Sequence, residues 1–204
     1  YDNTGLIEVM QKYFGEKTMQ ACKKPTYVMI RDIDVRNLYI NSIDNGEAKC
    51  KDMVIASCAA PYYFKPYQFS YRNRNIIAYD GGLFAQDPSS YHLSTAIQKG
   101  VDLKDIFVLT FGTGYSHEKQ RKPKSIISTV TKVIDEVLDS QIDLSNDIMQ
   151  NLLGERFINL DIEIEHQYND MSKIEYMPLW EQKAYELTKS YLMNETVSKL
   201  KSLT

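Results

Sequence analysis

Apolar positions in this chain follow two spacings, which divide it into helical and extended stretches. Across residues 2–19, Leu6, Val9, Met10, Tyr13 and Phe14 recur at helical intervals and predict an amphipathic helix. Residues 26–33 and 36–42 are rich in strand formers and predict two paired strands, followed by a turn at Asp44-Asn45-Gly46. Small residues dominate 50–60, a short helix that Pro61 stops. Two further strands, 67–71 and 75–79, flank a polar turn at Arg72-Asn73-Arg74. A helix is expected over 88–99, with Asp87 as N-cap, Pro88 at its first position and Gly100 at its end.

Farther along, residues 106–111 form a continuous apolar run ending in Gly112-Thr113-Gly114, the pattern of a strand buried in a parallel sheet. Residues 118–124 are polar, mostly basic, and read as a solvated loop. A long helical pattern over 125–153 is expected to be interrupted near 139–146. Its core face would be Ile126, Val130, Ile134, Val137, Leu138, Ile142, Ile148, Met149 and Leu152. Residues 156–164 alternate enough for a strand, and 183–203 read as closing helices. The strand–helix–strand order from 75 to 111 predicts an α/β layer architecture.

The stretch with the most chemical content is 56–88. Its strand over 75–79 delivers one carboxylate, Asp80, onto a turn made by Gly81 and Gly82. Two glycines permit backbone angles that other residues avoid and leave room for a ligand beside the main chain. Asp80 is therefore either an acid–base group presented at a sheet edge or a carboxylate that bonds the amides of its own turn. Ser57 is a rival nucleophile, but it lacks the flanking glycines of a nucleophile elbow, so Ser57 and Cys58 read as packing residues. Tyr62, Tyr63 and Phe64 form an aromatic cluster, read first as core and second as the lining of an apolar pocket. Arg72 and Arg74 read as solvated turn residues ahead of any phosphate-binding role.

Composition narrows the field. At 204 residues, 43% hydrophobic and 25% charged, the chain has the make-up of a globular protein, with length enough for a sizeable core. A net charge of −3 leaves no footprint for nucleic acid. No apolar run approaches the roughly 18 residues that span a bilayer. Cys22, Cys50 and Cys58 show no Cys-x-x-Cys spacing and read as reduced core thiols. His92, His117 and His166 lie far apart, so neither a metal nor a cofactor is expected.

Taken in order, Ala59-Ala60-Pro61-Tyr62-Tyr63-Phe64, Asp80-Gly81-Gly82, Asp87-Pro88 and the strand ending in Gly112-Thr113-Gly114 resemble the patatin-like phospholipases. The resemblance is firm over about 24–114 and loose beyond, where 170–172 echoes an acidic turn. It implies a three-layer α/β fold with a mainly parallel central sheet flanked by helices. It also implies a lipid acyl hydrolase using a Ser-Asp dyad, with Asp80 as the general base and Gly81 and Gly82 supporting it. The implied substrate is a phospholipid or other acyl-ester lipid, met in transient contact with a membrane surface. The family's glycine-rich oxyanion loop and Gly-x-Ser-x-Gly elbow are not found here, and the chain opens Tyr1-Asp2-Asn3. Residues 1–204 are therefore expected to be the C-terminal part of a single patatin-like domain whose upstream part carries the serine.

Two other classes remain open. One is a non-catalytic patatin-like module, a pseudoenzyme or interaction domain, which upstream sequence would distinguish. The other is nucleotide binding, since Asp-Gly-Gly and Gly-Thr-Gly both resemble phosphate-cradling loops. Neither completes Gly-x-x-x-x-Gly-Lys-Ser/Thr or Gly-x-Gly-x-x-Gly, which ranks that reading last.

Overall fold

The structure is a computed structural model that describes residues 3–115, 125–165 and 173–192. The chain divides into two compact units, one of Tyr1–Pro88 with Ile134–Asp143, the other of Ser89–Val133 with Leu144–Thr204.

The first unit is built on β1 (Tyr27–Asp32), β2 (Asn37–Asn41), β3 (Tyr67–Tyr71) and β4 (Arg74–Asp80), in the sheet order β2-β1-β4-β3. All three pairings are antiparallel. This departs from the mainly parallel central sheet expected. The reason is the length of the connections: β1–β2 and β3–β4 are joined by a few residues, which close hairpins and cannot make the crossover that a parallel pair needs. At the β3–β4 turn Arg72 and Asn73 both take positive φ, 48° and 58°, the signature of a two-residue turn whose twist matches the strands it joins. Arg72 is tied down by Glu47 at 2.7 Å, and Arg74 pairs at 2.8 Å with the fully buried Asp32. Both arginines are thus engaged by carboxylates.

Helix α2 (Cys50–Ser57) lays its inward residues on this sheet, giving a core of Ile30, Ile40, Met53, Ala56, Phe69, Ile76 and Ala78. On β4, Ile76 and Ala78 face inward two apart, as strand geometry requires. Tyr67 of β3 donates its hydroxyl to Asp52 in the first turn of α2, 2.8 Å away. Helix α1 (Thr4–Phe14) is shorter than expected because Gly15, at φ 52°, ends it. It buries no residue fully, and Val9 and Tyr13 of its predicted apolar face are exposed.

In the second unit, α4 (Ser89–Gln98) begins after Pro88, with α3 being the single turn Gly82–Ala85 of the first unit. Asp87 and Pro88 therefore precede the helix. Its end is as expected: Gly100, at φ 88°, and Val101 donate their amides back to Ile97 and Ala96. Strand β5 (Val108–Phe111) pairs in parallel with β6 (Phe157–Leu160), and the connection between them contains α5 (Ile126–Leu153). This small sheet is the parallel element of a mixed helix-and-sheet structure. β4 and β5 belong to different sheets, so the stretch 75–111 is not a strand–helix–strand unit of one sheet.

Helix α5 runs unbroken through 139–146, because its residues include neither proline nor glycine. Its middle belongs to the first unit and its ends to the second. Of its predicted core face, Met149 is buried, while Ile126, Val130, Val137 and Leu152 are exposed. Leu93, Ile106, Met149 and Leu153 form the core of the second unit. Helix α6 (Met177–Leu192) begins ahead of the predicted closing helices at 183–203 and overlaps their first part. The predicted loop at 118–124, the acidic turn at 170–172 and the end of the closing helices lie outside the described residues.

Candidate active site

Asp80 is the last residue of β4, opposite Ile30 of β1. Its amide donates to the Ala59 carbonyl at 3.0 Å, so the Ala-Ala-Pro and Asp-Gly-Gly segments, far apart in sequence, are joined through their backbones. Its Oδ1 accepts the Gly82 amide at 2.7 Å, closing a tight turn. That bond stabilises the carboxylate, yet burial outweighs it and pushes the Asp80 carboxyl above its ordinary range.

Gly81 is required for space, and neither glycine takes a left-handed angle. Gly81 sits at φ −63°, an ordinary helical value. A Cβ on it would run into the Met29 carbonyl, which is backbone within β1 and cannot turn aside. A Cβ on Gly82 would meet the end of the Gln86 side chain, which can move. Gly81 thus lets β1 and the turn after β4 approach closely, and this holds Asp80 at the sheet edge.

Around Asp80 lies a cleft of about 350 Å³, contained in the first unit. One wall is Tyr27, Val28 and Met29 of β1. Another is the C-terminal end of α2, with Val54, Ser57 and Cys58, and the floor is Asp80, Gly81 and Gly82. Ala85, Gln86 and Pro88 complete it. The sequence reading set Ser57 and Cys58 aside as packing residues, but the fold places both on the cleft with Asp80. Desolvation, and next the nearby Asp80 charge, push the Cys58 thiol up, which makes it a poor nucleophile at neutral pH. No signal in the sequence announced this convergence, because it depends on α2 ending beside the end of β4.

Other candidates fall away from the cleft. No histidine lines it: His92 stands on α4 with its ring edge against Tyr91, while His117 and His166 lie outside the described residues. Tyr62 is 72% exposed and takes φ 75°, and Tyr63 is exposed beside it, so neither the core nor the pocket-lining reading describes them. Phe64 is half-buried. Among the described residues no group of His, Cys, Asp and Glu gathers as a metal site.

The Gly-Thr-Gly loop has a different partner from the one a phosphate cradle would offer. Asp161 Oδ1 accepts the amides of Gly114 and Ile162, both at 2.8 Å, and its carboxylate occupies the space a Cβ on Gly112 would need. An acidic group seated on the loop's amides repels the anion that a nucleotide would bring.

No family model matches the chain. It is 27% identical over 140 residues to a potato (Solanum tuberosum) protein named probable inactive patatin-3-Kuras 1, a match covering 58% of the chain and 37% of that relative. Patatin-15 and patatin-2-Kuras 4, also from potato, are each 28% identical over 141 residues. The chain is a distant, partial relative of the potato patatins. Its match spans well under half the length of these relatives.

Proposed function

We propose that this chain is the C-terminal part of a patatin-like lipid acyl hydrolase and supplies the general base of a Ser-Asp dyad. Asp80 is the base, and the serine and the oxyanion-binding amides come from a preceding segment of the same protein. The observation that carries this reading is one carboxylate, raised in pKa by burial, held by its own turn at the edge of a cleft. A carboxylate in that state is a better proton acceptor than a solvated aspartate.

The chemistry follows in two halves. Asp80 takes the serine hydroxyl proton as the oxygen attacks the ester carbonyl. The tetrahedral intermediate collapses, the proton passes to the leaving alcohol, and an acyl-enzyme remains. Water, deprotonated by the same carboxylate, attacks the acyl carbonyl, and the proton returns to the serine oxygen as the fatty acid leaves. No histidine is required, and the first unit's described residues present none to the cleft. Substrate would be a phospholipid or other acyl-ester lipid, reached by transient contact with a membrane surface. No helix among the described residues is long and apolar enough to cross a membrane.

The two-stranded parallel sheet supports a preceding segment. Parallel strands are ordinarily covered on both faces and flanked by further strands, yet Phe111 is 71% exposed and Leu109 51%. One relative's name favours the second reading, since it is called a probable inactive patatin. On that reading the chain is part of a non-catalytic patatin-like module.

The test is Asp80→Asn in the longer protein, assayed on phospholipid vesicles and with a fluorophosphonate serine probe. Loss of a general base should lower turnover by about 10³-fold with folding retained. A folded variant that keeps its activity removes Asp80 as the base. A probe bound to Ser57 overturns the division of roles between segments. A wild-type protein that neither turns over nor labels establishes the non-catalytic module.

A further inference from the structure

Away from the cleft, the first unit holds two cysteines on one hydrophobic cluster. Cys50 opens α2 and is buried in the core with Met19 and Met53. Cys22 follows the 3-10 turn Met19–Ala21 and packs, half-exposed, against the same cluster. The backbone fixes both. Thr18 bridges Lys49, Met19 donates to Ala48 at 2.8 Å, Cys50 donates to Lys17 at 2.9 Å, and Cys22 folds back to donate to Met19 at 3.1 Å. Across this frame the Cys22 side chain packs against the cluster that contains Cys50.

Two cysteines packed on one cluster from separate, well-anchored segments are placed for the close approach that a disulfide needs. Cys22 is the more accessible and Cys50 the more enclosed, which distinguishes an attacking from a resolving sulfur. We propose that Cys22 and Cys50 are a redox-active dithiol that a small-molecule disulfide closes to an intrachain bond and a small-molecule thiol reopens. In closure, the Cys22 thiolate attacks one sulfur of the small disulfide and expels the other as thiolate, leaving a mixed disulfide. Cys50 then attacks the Cys22 sulfur, and the second small thiolate departs. One S–S bond is broken and another formed, and the two cysteine protons end on the two released thiols or in solvent. Burial, with a lesser effect from the Cys22 sulfur, pushes the Cys50 thiol up. A high pKa slows Cys50 towards outside reagents and leaves it the intramolecular step.

The consequence bears on the cleft. The bond would staple the first residue of α2 to the segment before β1, while the other end of the same helix carries Ser57. Closure therefore reduces the fraying open to the cleft-lining helix and does not depend on whether the cleft is catalytic.

The full-length protein, first reduced, is incubated natively with glutathione disulfide, then alkylated in denaturant and mapped by mass spectrometry without reduction. The expected product is a Cys22–Cys50 linked peptide two hydrogens lighter than the reduced pair, with slower amide exchange across α2. Recovery of both cysteines alkylated, or of glutathione held on Cys22 beside a free Cys50, overturns the proposal. Cys50→Ala should trap glutathione on Cys22 as a lasting mixed disulfide. Should that buried substitution prevent folding, the wild-type map still decides.

Discussion

The antiparallel sheet of the first unit and the parallel pair of the second differ in how far each is complete. Ile30 and Ala78, on the paired central strands β1 and β4, are both 0% exposed, and α2 covers them. Strand β5 carries Leu109 and Phe111 largely in solvent and pairs, among the described residues, with β6 alone. The difference comes from topology. Hairpins bring their own partner strand through a short turn, so a sheet of hairpins can close its core from local sequence. A parallel strand relies on neighbours delivered from far along the chain. The cleft and Asp80 belong to the part that closes itself.

Substitutions can strain this contrast, beginning with the core. Met53→Ala removes a buried side chain from the centre of the antiparallel unit and should cost about 3 kcal/mol in chemical denaturation. Leu109→Ala on β5 should cost under about 0.5 kcal/mol in this chain. A cost for Leu109→Ala near that of Met53→Ala in a longer protein would mean that β5 is covered there. Equal costs in this chain itself would break the comparison.

A smaller effect is expected where β1 meets the turn after β4. Gly81→Ala forces a methyl into the Met29 carbonyl and should cost about 2 kcal/mol. Gly100→Ala, with open space around it but φ 88°, should cost about 1 kcal/mol from backbone strain alone. Thermal unfolding of the two variants would sharpen the distinction between a glycine needed for space and one needed for its angle.

Asp80 gives a prediction of sign. Its folded pKa is raised, so the ionised carboxylate opposes folding at neutral pH, and that cost vanishes below the unfolded aspartate value. Asp80→Asn should therefore raise the melting temperature at pH 7, with the advantage shrinking as pH falls through the raised pKa. A variant less stable than wild type at pH 7 would mean that the carboxylate is stabilised by a group other than the Gly82 amide. The pH–rate profile of the longer protein should show its acid limb above the usual aspartate range.

Smallest of all is the surface trio of Glu16 with Lys49 and Lys51, at 2.7 and 2.9 Å. The two lysines hold the Glu16 carboxyl down at about 2. A depressed carboxyl contributes stability above its ordinary pKa and loses it as pH falls towards the folded value. Glu16 is exposed, so solvent and salt screen the trio. Glu16→Gln should shift the melting temperature slightly, and the shift should fade in high salt.

Residue patterning alone determined the local elements. Strand-forming runs around short polar turns specified both hairpins, the small-residue run ended by Pro61 specified α2, and Gly100 marked the end of α4. Asp80 at a strand end before two glycines was legible too, because a period-two apolar run and a glycine pair are both local signals. Tertiary structure decided the rest. It set the direction of the larger sheet, brought Ala59 onto the Asp80 amide, and put Ser57 and Cys58 on one cleft with Asp80. It also decided that much of the apolar stripe of α5 stays uncovered, since a stripe records a preference for burial but not what is available to bury it. Each of these depends on where residues far apart in sequence meet, and spacing within one segment carries no information about its partner.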